Sequence, residues 1–245
     1  MEGYRFRFSA APASLHVFDL LLKKHLQFNI DDMEHFYNLF VGSATGTTAA
    51  GLIFELRMHT ILPEIRTIRL FPIHCVDPKK GTVNFIYDDH EATKGRTNEQ
   101  KFELPELRSD SLGKKTELQA NTYYTPDSAT FPTFDSLLFF TPLGDSPPIL
   151  LMLQMTRAQK HDAKVTGLDY VAKFENVRKY YVAVTPDDVF TKISIPKVHF
   201  VGKKAKDMMA SPNEVFPVFH FPVSKQVLFP KRGHFLSAEG GTVMQ

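Results

Sequence analysis

The stretch that decides the fold is FPTFDSLLFFTPLGDSPPILLMLQMTRAQKH, residues 131 to 161. It contains two apolar runs, FDSLLFF at 134–140 and ILLMLQMT at 149–156, and the segment between them is rich in proline. Short apolar runs bounded by turn residues predict buried strands. The two runs therefore predict neighbouring strands in the centre of a sheet.

Polar residues stand at the ends of these two predicted strands. Asp135 opens the first strand, and Gln154 and Thr156 end the second. Side chains two residues apart on a strand point to the same face of the sheet. Because a buried amide without a partner costs roughly 1 to 3 kcal/mol, Gln154 and Thr156 are predicted to project towards a polar partner.

A second acid occurs in an apolar helical segment, GLIFELRMH at 51–59. Glu55 lies within this segment, and His59 follows four residues later on the same predicted helix face. The ordinary alternatives are a solvent-facing helix glutamate at Glu55 and a strand-end aspartate at Asp135. The functional interpretation is that both carboxylates point into one polar pocket.

Oxygen ligands of this kind predict a metal site. Glu55, Asp135 and Gln154 are the candidate metal ligands, with the Thr156 hydroxyl beside them. Carboxylate and amide oxygens suit a hard cation such as Mg²⁺, for which Mn²⁺ can substitute. A metal ion in this position polarises a phosphodiester and lowers the pKa of a bound water molecule.

The chain beyond residue 156 predicts a β-α-β unit. Residues 160–176 have amphipathic helical spacing, and KYYVAVT at 179–185 predicts a second buried strand. Such a crossover joins two parallel strands and is right-handed. The start of the predicted helix carries Lys160, His161 and Lys164, which could meet phosphate charge there.

The remaining elements are predicted with the same rules. The predicted helices cover 14–28, 31–40 and a segment from about 48 that Pro63 ends; the predicted strands are a pair at 67–76 and 81–89, a short strand at 101–104 and one at 215–221. Residues 90–118 are interpreted as an insertion or a mobile loop, and the chain after Pro186 as irregular. The expected domains are a helical segment at 1–46 and a domain at 47–245 with its core at 47–185.

Composition limits the class of protein. The 245 residues are 43% hydrophobic and 23% charged, which is ordinary for a globular protein. The single cysteine, Cys75, excludes an intrachain disulfide and a cysteine-based zinc site. The net charge of +2 is no nucleic-acid signature by itself, but the basic residues occur in clusters. No membrane segment or signal peptide is predicted, so the expected location is the cytoplasm or the nucleus.

Three motifs in order resemble a known family. They are GLIFE (51–55) with His59 following, YYTPDSATFPTFDS (123–136), and LQMT (153–156) with His161 and the pair Gly167-Leu168. Together they resemble the C-terminal nuclease-like domain of the Crinkler effectors and related domains of the trypanosome retrotransposon-hot-spot proteins. That family is assigned to the restriction-endonuclease-like, PD-(D/E)xK superfamily.

The resemblance implies a fold and a set of roles. The fold is α/β, a restriction-endonuclease-like mixed sheet with an α-β-β-β-α-β core flanked by helices, plus N-terminal helices and an irregular C-terminal segment. Glu55 matches the acid of the first core helix, and Asp135 matches the metal-binding aspartate. Gln154 stands in the place of the second acid and Thr156 in the place of the superfamily lysine. Lys160 or Lys164 would then supply the missing positive charge.

The implied function is metal-dependent hydrolysis of DNA by a nuclease-like effector domain using Mg²⁺ or Mn²⁺. Arg157, His161 and His59 are the expected substrate-binding residues. Threonine lacks the charge of the superfamily lysine, so the alternative is a catalytically impaired module that binds nucleic acid or a host protein. For an effector, the expected location includes the host nucleus.

Overall fold

The computed structural model describes residues 30–42, 47–73, 75–77, 82–86, 99–113, 115–127, 134–144, 146–158, 160–162, 170–171, 173–187, 189, 192–196 and 217–231. The chain divides into two compact units, Met1–Ile53 and Phe54–Gln245. Each unit is described by itself. No helix among the described residues is both long and apolar enough to cross a membrane.

The first unit contains helix α1, Ile30–Val41, and the beginning of helix α2, Thr47–Ile61. Asp31 and Asp32 lie in the first turn of α1, where negative charge is favourable at the positive end of the helix dipole. This confirms the helix predicted at 31–40. The helix predicted at 14–28 lies outside the described residues.

Helix α2 continues into the second unit and ends where the sequence predicts. A single 3₁₀ turn, Leu62–Glu64, follows the helix directly, and Pro63 occupies one of its first positions. Because proline has no N–H and its ring clashes with the preceding turn, the α-helix cannot continue past it. The buried residues Phe54, Met58 and Ile61 recur at a spacing of three to four, which places one face of α2 in the core.

The described strands, all of which belong to the second unit, form two sheets. In chain order the strands are β1 Thr67–Pro72, β2 Cys75–Asp77, β3 Thr82–Ile86, β4 Gln100–Glu103, β5 Arg108–Leu112, β6 Thr122–Pro126, β7 Ser136–Phe140, β8 Ile149–Met155, β9 Lys160–Asp162, β10 Arg178–Pro186, β11 Lys192–Pro196 and β12 Val218–Val223. A short helix α3, Lys225–Leu228, follows β12. The larger sheet has the order β4-β1-β12-β10-β8-β7-β6-β5, and the smaller one has the order β2-β3-β11-β9. The fold is therefore mixed α/β.

The centre of the larger sheet is formed by the strands that the apolar runs predict. Every residue of β8 is buried, and so are the last seven residues of β10. The two strands pair in parallel, with Tyr181 beside Met152 and Ala183 beside Gln154. The predicted parallel pair is thus confirmed. Strand β7 is antiparallel to both of its neighbours, β6 and β8, and Ser136 of β7 pairs with Leu153 of β8.

The helix predicted at 160–176 is wrong at both of its ends, and residues 163–169 between them lie outside the described residues. Lys160–Asp162 is strand β9 of the smaller sheet, where it pairs in parallel with β11. Residues 170–171 are helical, but Asn176 has a φ of 57°, which is incompatible with a right-handed helix. Val171 is buried in the core and Phe174 packs against it, as the predicted apolar face requires.

Several strand pairings also differ from the prediction. Strand β1 does not pair with the strand at 82–86; it pairs with β4 and β12, and β2 pairs with β3 instead. The segment interpreted as a loop contains the confirmed short strand β4 and the unpredicted strand β5. The chain after Pro186, interpreted as irregular, contains β11, the predicted β12 and helix α3. Partners distant in sequence decide these pairings, and local patterns do not contain that information.

A buried polar pair links β10 to β12. The Thr185 hydroxyl lies 2.7 Å from His220 Nε2 and 3.0 Å from the Val189 carbonyl oxygen. Because the single hydroxyl proton is donated to a carbonyl, Nε2 of His220 carries the proton that the Thr185 oxygen accepts. Burial lowers the pKa of His220 from 6.5 to about 4. The folded protein therefore holds this histidine neutral.

We expect His220 to make folding sensitive to acid. Between pH 6.5 and about 4 the unfolded chain binds a proton at His220 that the folded chain excludes. The stability is therefore complete above this window and decreases by up to about 3 kcal/mol as the pH falls through it. Urea unfolding of His220→Gln at pH 7, 5.5 and 4 should show a smaller loss of stability than the wild type. His35→Gln, which replaces an exposed histidine of α1, is the control, and equal losses in all three proteins would contradict the prediction.

Candidate active site

Asp135 ties the beginning of β7 to the end of β8. Its backbone N–H donates to the Leu153 carbonyl oxygen at 2.9 Å. Its Oδ2 accepts two hydrogen bonds of 2.6 Å, one from the Gln154 side-chain amide and one from the Met155 backbone N–H. The antiparallel register of β7 and β8, with Ser136 opposite Leu153, brings residues 135 and 154 side by side. Two of the predicted site residues are thus in direct contact.

Glu55 of helix α2 brings a second carboxylate to the same place. Burial raises the pKa of Asp135 well above its ordinary value, and the negative charge of Glu55 raises it further. The hydrogen bonds from Met155 and Gln154 act in the opposite direction but do not outweigh these effects. The Glu55 side chain is 37% exposed, whereas Asp135 is enclosed. The site is therefore an acid pair with one buried and one accessible carboxylate.

A histidine and a tyrosine flank the acid pair. His59 Nδ1 lies 2.7 Å from the Tyr123 hydroxyl, and His59 Nε2 lies 3.7 Å from Glu55 Oε1. Tyr123 is buried in β6, and its ring meets the His59 ring edge to face. Burial raises the pKa of Tyr123, and the charges of Asp135 and Glu55 add to the effect. The phenol therefore stays protonated and available as a hydrogen-bond donor.

Ser136 lies next to the same hydroxyl. Its Oγ is fully enclosed and makes no hydrogen bond of good geometry, although it is close enough to Tyr123 to oppose part of the pKa increase. Buried hydroxyls without a well-formed hydrogen bond are uncommon in folded proteins. Sequence analysis identified neither Tyr123 nor Ser136 as a site residue. The available signal was the run YYTPDSATFPTFDS, which contains both.

The amide and hydroxyl predicted beside the acids have defined contacts. Gln154 turns its amide nitrogen to Asp135, as it must if the carboxylate is ionised and only accepts. In this arrangement Gln154 orients the carboxylate, and its role as a metal ligand stays a prediction. The Thr156 hydroxyl accepts a hydrogen bond from the Ala158 N–H at 3.0 Å. Thr156 therefore closes the turn after β8 and brings no charge to the site.

The predicted basic residues are only partly described by the structure. Arg157 follows Thr156 and is half-buried. Lys160 and His161 belong to β9, which corrects their expected place at the start of a helix; their side chains lie outside the described residues, and so does Lys164 entirely. The structure therefore brings together Glu55, His59, Asp135 and Gln154, and places Thr156 two residues beyond Gln154. The contribution of the predicted cations stays a prediction.

The charges of the acid pair bear on whether a cation binds here. Among the residues that the structure describes, no group of three or more His, Cys, Asp and Glu side chains could hold a metal ion. Mg²⁺ commonly keeps several waters and takes only one or two protein carboxylates, completing its shell with substrate phosphates. The mutual repulsion of Asp135 and Glu55 is the electrostatic condition that a cation would relieve.

Comparisons of the chain with protein-family models, with curated proteins and with solved structures found no match.

The acid pair should reduce the stability of the folded protein. Folding raises the pKa of Asp135. The folded protein therefore loses stability as the pH rises through that raised value, because the unfolded chain ionises Asp135 more readily. Asp135→Asn removes this cost while keeping an oxygen that accepts the same hydrogen bonds. We expect it to raise the free energy of unfolding at pH 8 by about 0.5 to 2 kcal/mol, as removal of strained site charges often does.

Urea unfolding at pH 8 and at pH 4 measures the effect, and the gain should shrink at pH 4, where Asp135 is protonated. Asp110→Asn, at an exposed position of β5, is the matched control. A variant at position 135 that is less stable than the wild type at pH 8 would contradict the prediction.

Proposed function

We propose that this protein is a metal-dependent nuclease-like domain of the restriction-endonuclease-like superfamily that hydrolyses phosphodiester bonds in DNA. One observation carries the proposal: Glu55 and Asp135, 80 positions apart along the chain, form one acid pair, with Gln154 hydrogen-bonded to it. These are three of the four positions at which the Crinkler resemblance expects functional residues. Thr156 is the fourth, and it follows the end of β8, two residues after Gln154.

The order of the elements supports the proposal. Helix α2 carries Glu55; after strands β1 to β5 come β6, β7 and β8, each antiparallel to the one before it, and β10 returns parallel to β8. With β1 to β5 taken as additions, this order agrees with the first four elements and the last element of an α-β-β-β-α-β core. The second helix of that core falls at 160–176, where the first three residues are a strand and most of the others lie outside the described residues. Additional strands extend the sheet on both sides.

Asp135 and Glu55 have different roles in binding a substrate phosphate. Met155 N–H and the Gln154 amide fix the Asp135 carboxylate by two hydrogen bonds. Its side chain therefore loses little conformational freedom when a substrate binds. Glu55 is the exposed member and faces the solvent from which a substrate arrives. A bound Mg²⁺ would neutralise the phosphodiester charge and activate a water molecule. Without a cation, the two carboxylates repel a phosphate, so binding of substrate requires the positive charge.

The Thr156 hydroxyl supports a second candidate function. Because it caps the Ala158 N–H, the position of the superfamily lysine contributes neither charge nor a proton-accepting amine. A domain with this substitution can retain nucleic-acid binding and lose cleavage. The alternative is therefore a module that binds nucleic acid, or a host protein, on a nuclease scaffold.

Plasmid cleavage tests the first function. We expect the wild type to nick supercoiled DNA in the presence of Mg²⁺ or Mn²⁺ and to leave it intact in EDTA. Asp135→Ala should reduce the nicking rate by at least about 100-fold, because it removes the enclosed carboxylate of the cation site. Asp110→Ala, at an exposed aspartate that bonds the adjacent Ser111 N–H, should cleave like the wild type.

Binding to duplex DNA separates the two candidates. Plasmid that survives at saturating metal, together with a DNA affinity that falls steeply with salt, would contradict cleavage and support the binding module. Equal nicking by wild type and Asp135→Ala would indicate a contaminating nuclease and would remove the basis of the first proposal.

A further inference from the structure

His59 connects a buried hydroxyl to the exposed member of the acid pair. Its two ring nitrogens face different partners, Tyr123 at 2.7 Å and Glu55 at 3.7 Å. His59 and Glu55 are four residues apart on α2, and Tyr123 comes from β6, the strand next to one edge of the larger sheet. The imidazole therefore bridges the helix and the sheet at the site. Only 19% of its side chain is exposed, so its orientation is set by these neighbours.

Hydrogen bonding decides which proton arrangement this bridge has. If Nδ1 of a neutral ring carried the proton and donated it to Tyr123, the lone pair of Nε2 would face the Glu55 carboxylate, which is repulsive. If the Tyr123 hydroxyl donates to Nδ1, the proton is on Nε2 and points to the carboxylate, which is favourable. The second arrangement satisfies all three groups. The Tyr123 hydroxyl thus selects the histidine tautomer that attracts Glu55.

The tyrosine is well placed to fix this geometry. Tyr123 is 1% exposed and belongs to β6, which pairs with both β5 and β7. The tip of its side chain lies among the groups of the site, since Asp135, Glu55 and Ser136 all act on its hydroxyl. Such a residue has little conformational freedom. By contrast, Glu55 is a flexible side chain on the exposed edge of a helix and needs a partner to hold its direction.

We propose that Tyr123 and His59 are positioning residues that hold the Glu55 carboxylate in place for a divalent cation shared with Asp135. The inference deepens the proposed function and rests on it. Groups that orient metal ligands commonly change metal affinity 10- to 100-fold when they are removed. His59 then acts on the carboxylate ligand, not on the substrate, which differs from the substrate-binding role expected from the sequence.

Mn²⁺ binding, followed by the electron paramagnetic resonance signal of the free ion, tests the proposal without relying on activity. Tyr123→Phe removes only the hydroxyl, and we expect it to weaken Mn²⁺ binding about 10-fold or more. Tyr124→Phe is the matched control. It removes the hydroxyl of the next residue on β6, which is also buried and accepts a hydrogen bond from the Gln119 N–H at 2.6 Å. It should destabilise the fold to a similar degree and leave Mn²⁺ affinity unchanged.

The conservative variant and a double-mutant cycle distinguish positioning from general structural support. His59→Ala should weaken Mn²⁺ binding, and His59→Gln, whose amide can still donate to Glu55, should restore part of the loss. In a Glu55→Gln background, Tyr123→Phe should have no further effect on affinity. The role assigned to Tyr123 and His59 is overturned if Tyr123→Phe binds Mn²⁺ like the wild type, or if Tyr124→Phe weakens binding equally.

The wild-type measurement separates this inference from the proposed function. If the wild type binds Mn²⁺ and Tyr123→Phe binds it with the same affinity, the proposed function stands and only the positioning role is refuted. Wild-type protein that binds no Mn²⁺ refutes both, since there is then no ion for Glu55 to hold.

Discussion

The two hydrogen bonds that Asp135 Oδ2 accepts, from Met155 N–H and the Gln154 amide, are the interaction on which the site depends. They join the beginning of one central strand to the end of the next. They also hold a carboxylate in an enclosed position where burial and a second acid both oppose its ionisation. The fold supplies the energy for this arrangement through the apolar strands on either side, since β8 and most of β10 are completely buried.

The site combines residues of the sheet with a residue of a helix. Asp135, Gln154 and Tyr123 belong to the sheet or border it directly, and their orientations are fixed by strand pairing. Glu55 comes from helix α2 and is partly exposed. Arg57 Nε, two residues on, donates to the carbonyl oxygen of Leu228 at 3.0 Å, which anchors the helix to the end of α3. The anchored helix therefore brings Glu55 to the residues of the sheet.

Three buried polar residues lie close together in the larger sheet. Gln154 and His220 both pair with Ala183, so the register of β8, β10 and β12 places them in one row across the sheet. Thr185 follows two residues after Ala183, on the same face, and contacts His220. The carboxyl ends of parallel strands are where α/β sheets commonly bind ligands. Gln154, Thr185 and His220 therefore form one group of buried polar residues across β8, β10 and β12.

The sequence by itself determined the central strands and the identity of the residues at their ends. Apolar runs bounded by proline and glycine are local signals, so β7, β8 and β10 could be predicted, as could the end of α2 at Pro63. The same is true of Glu55, Asp135 and Gln154, because a polar residue in an apolar segment is visible without a structure. Resemblance to a family added the expectation that they meet.

Only the tertiary structure decided which strands pair and which side chains are in contact. Strand β1 pairs with β12 across nearly 150 residues, with Phe71 opposite His220; ladder hydrogen bonds join backbone groups that every residue shares, so sequence does not specify the partner. Val171 and Phe174 have helical spacing but cover the core from a segment that ends in a non-helical turn at Asn176. The contact of Tyr123 with His59 exists because helix and sheet pack together. The sequence around either residue does not predict this contact.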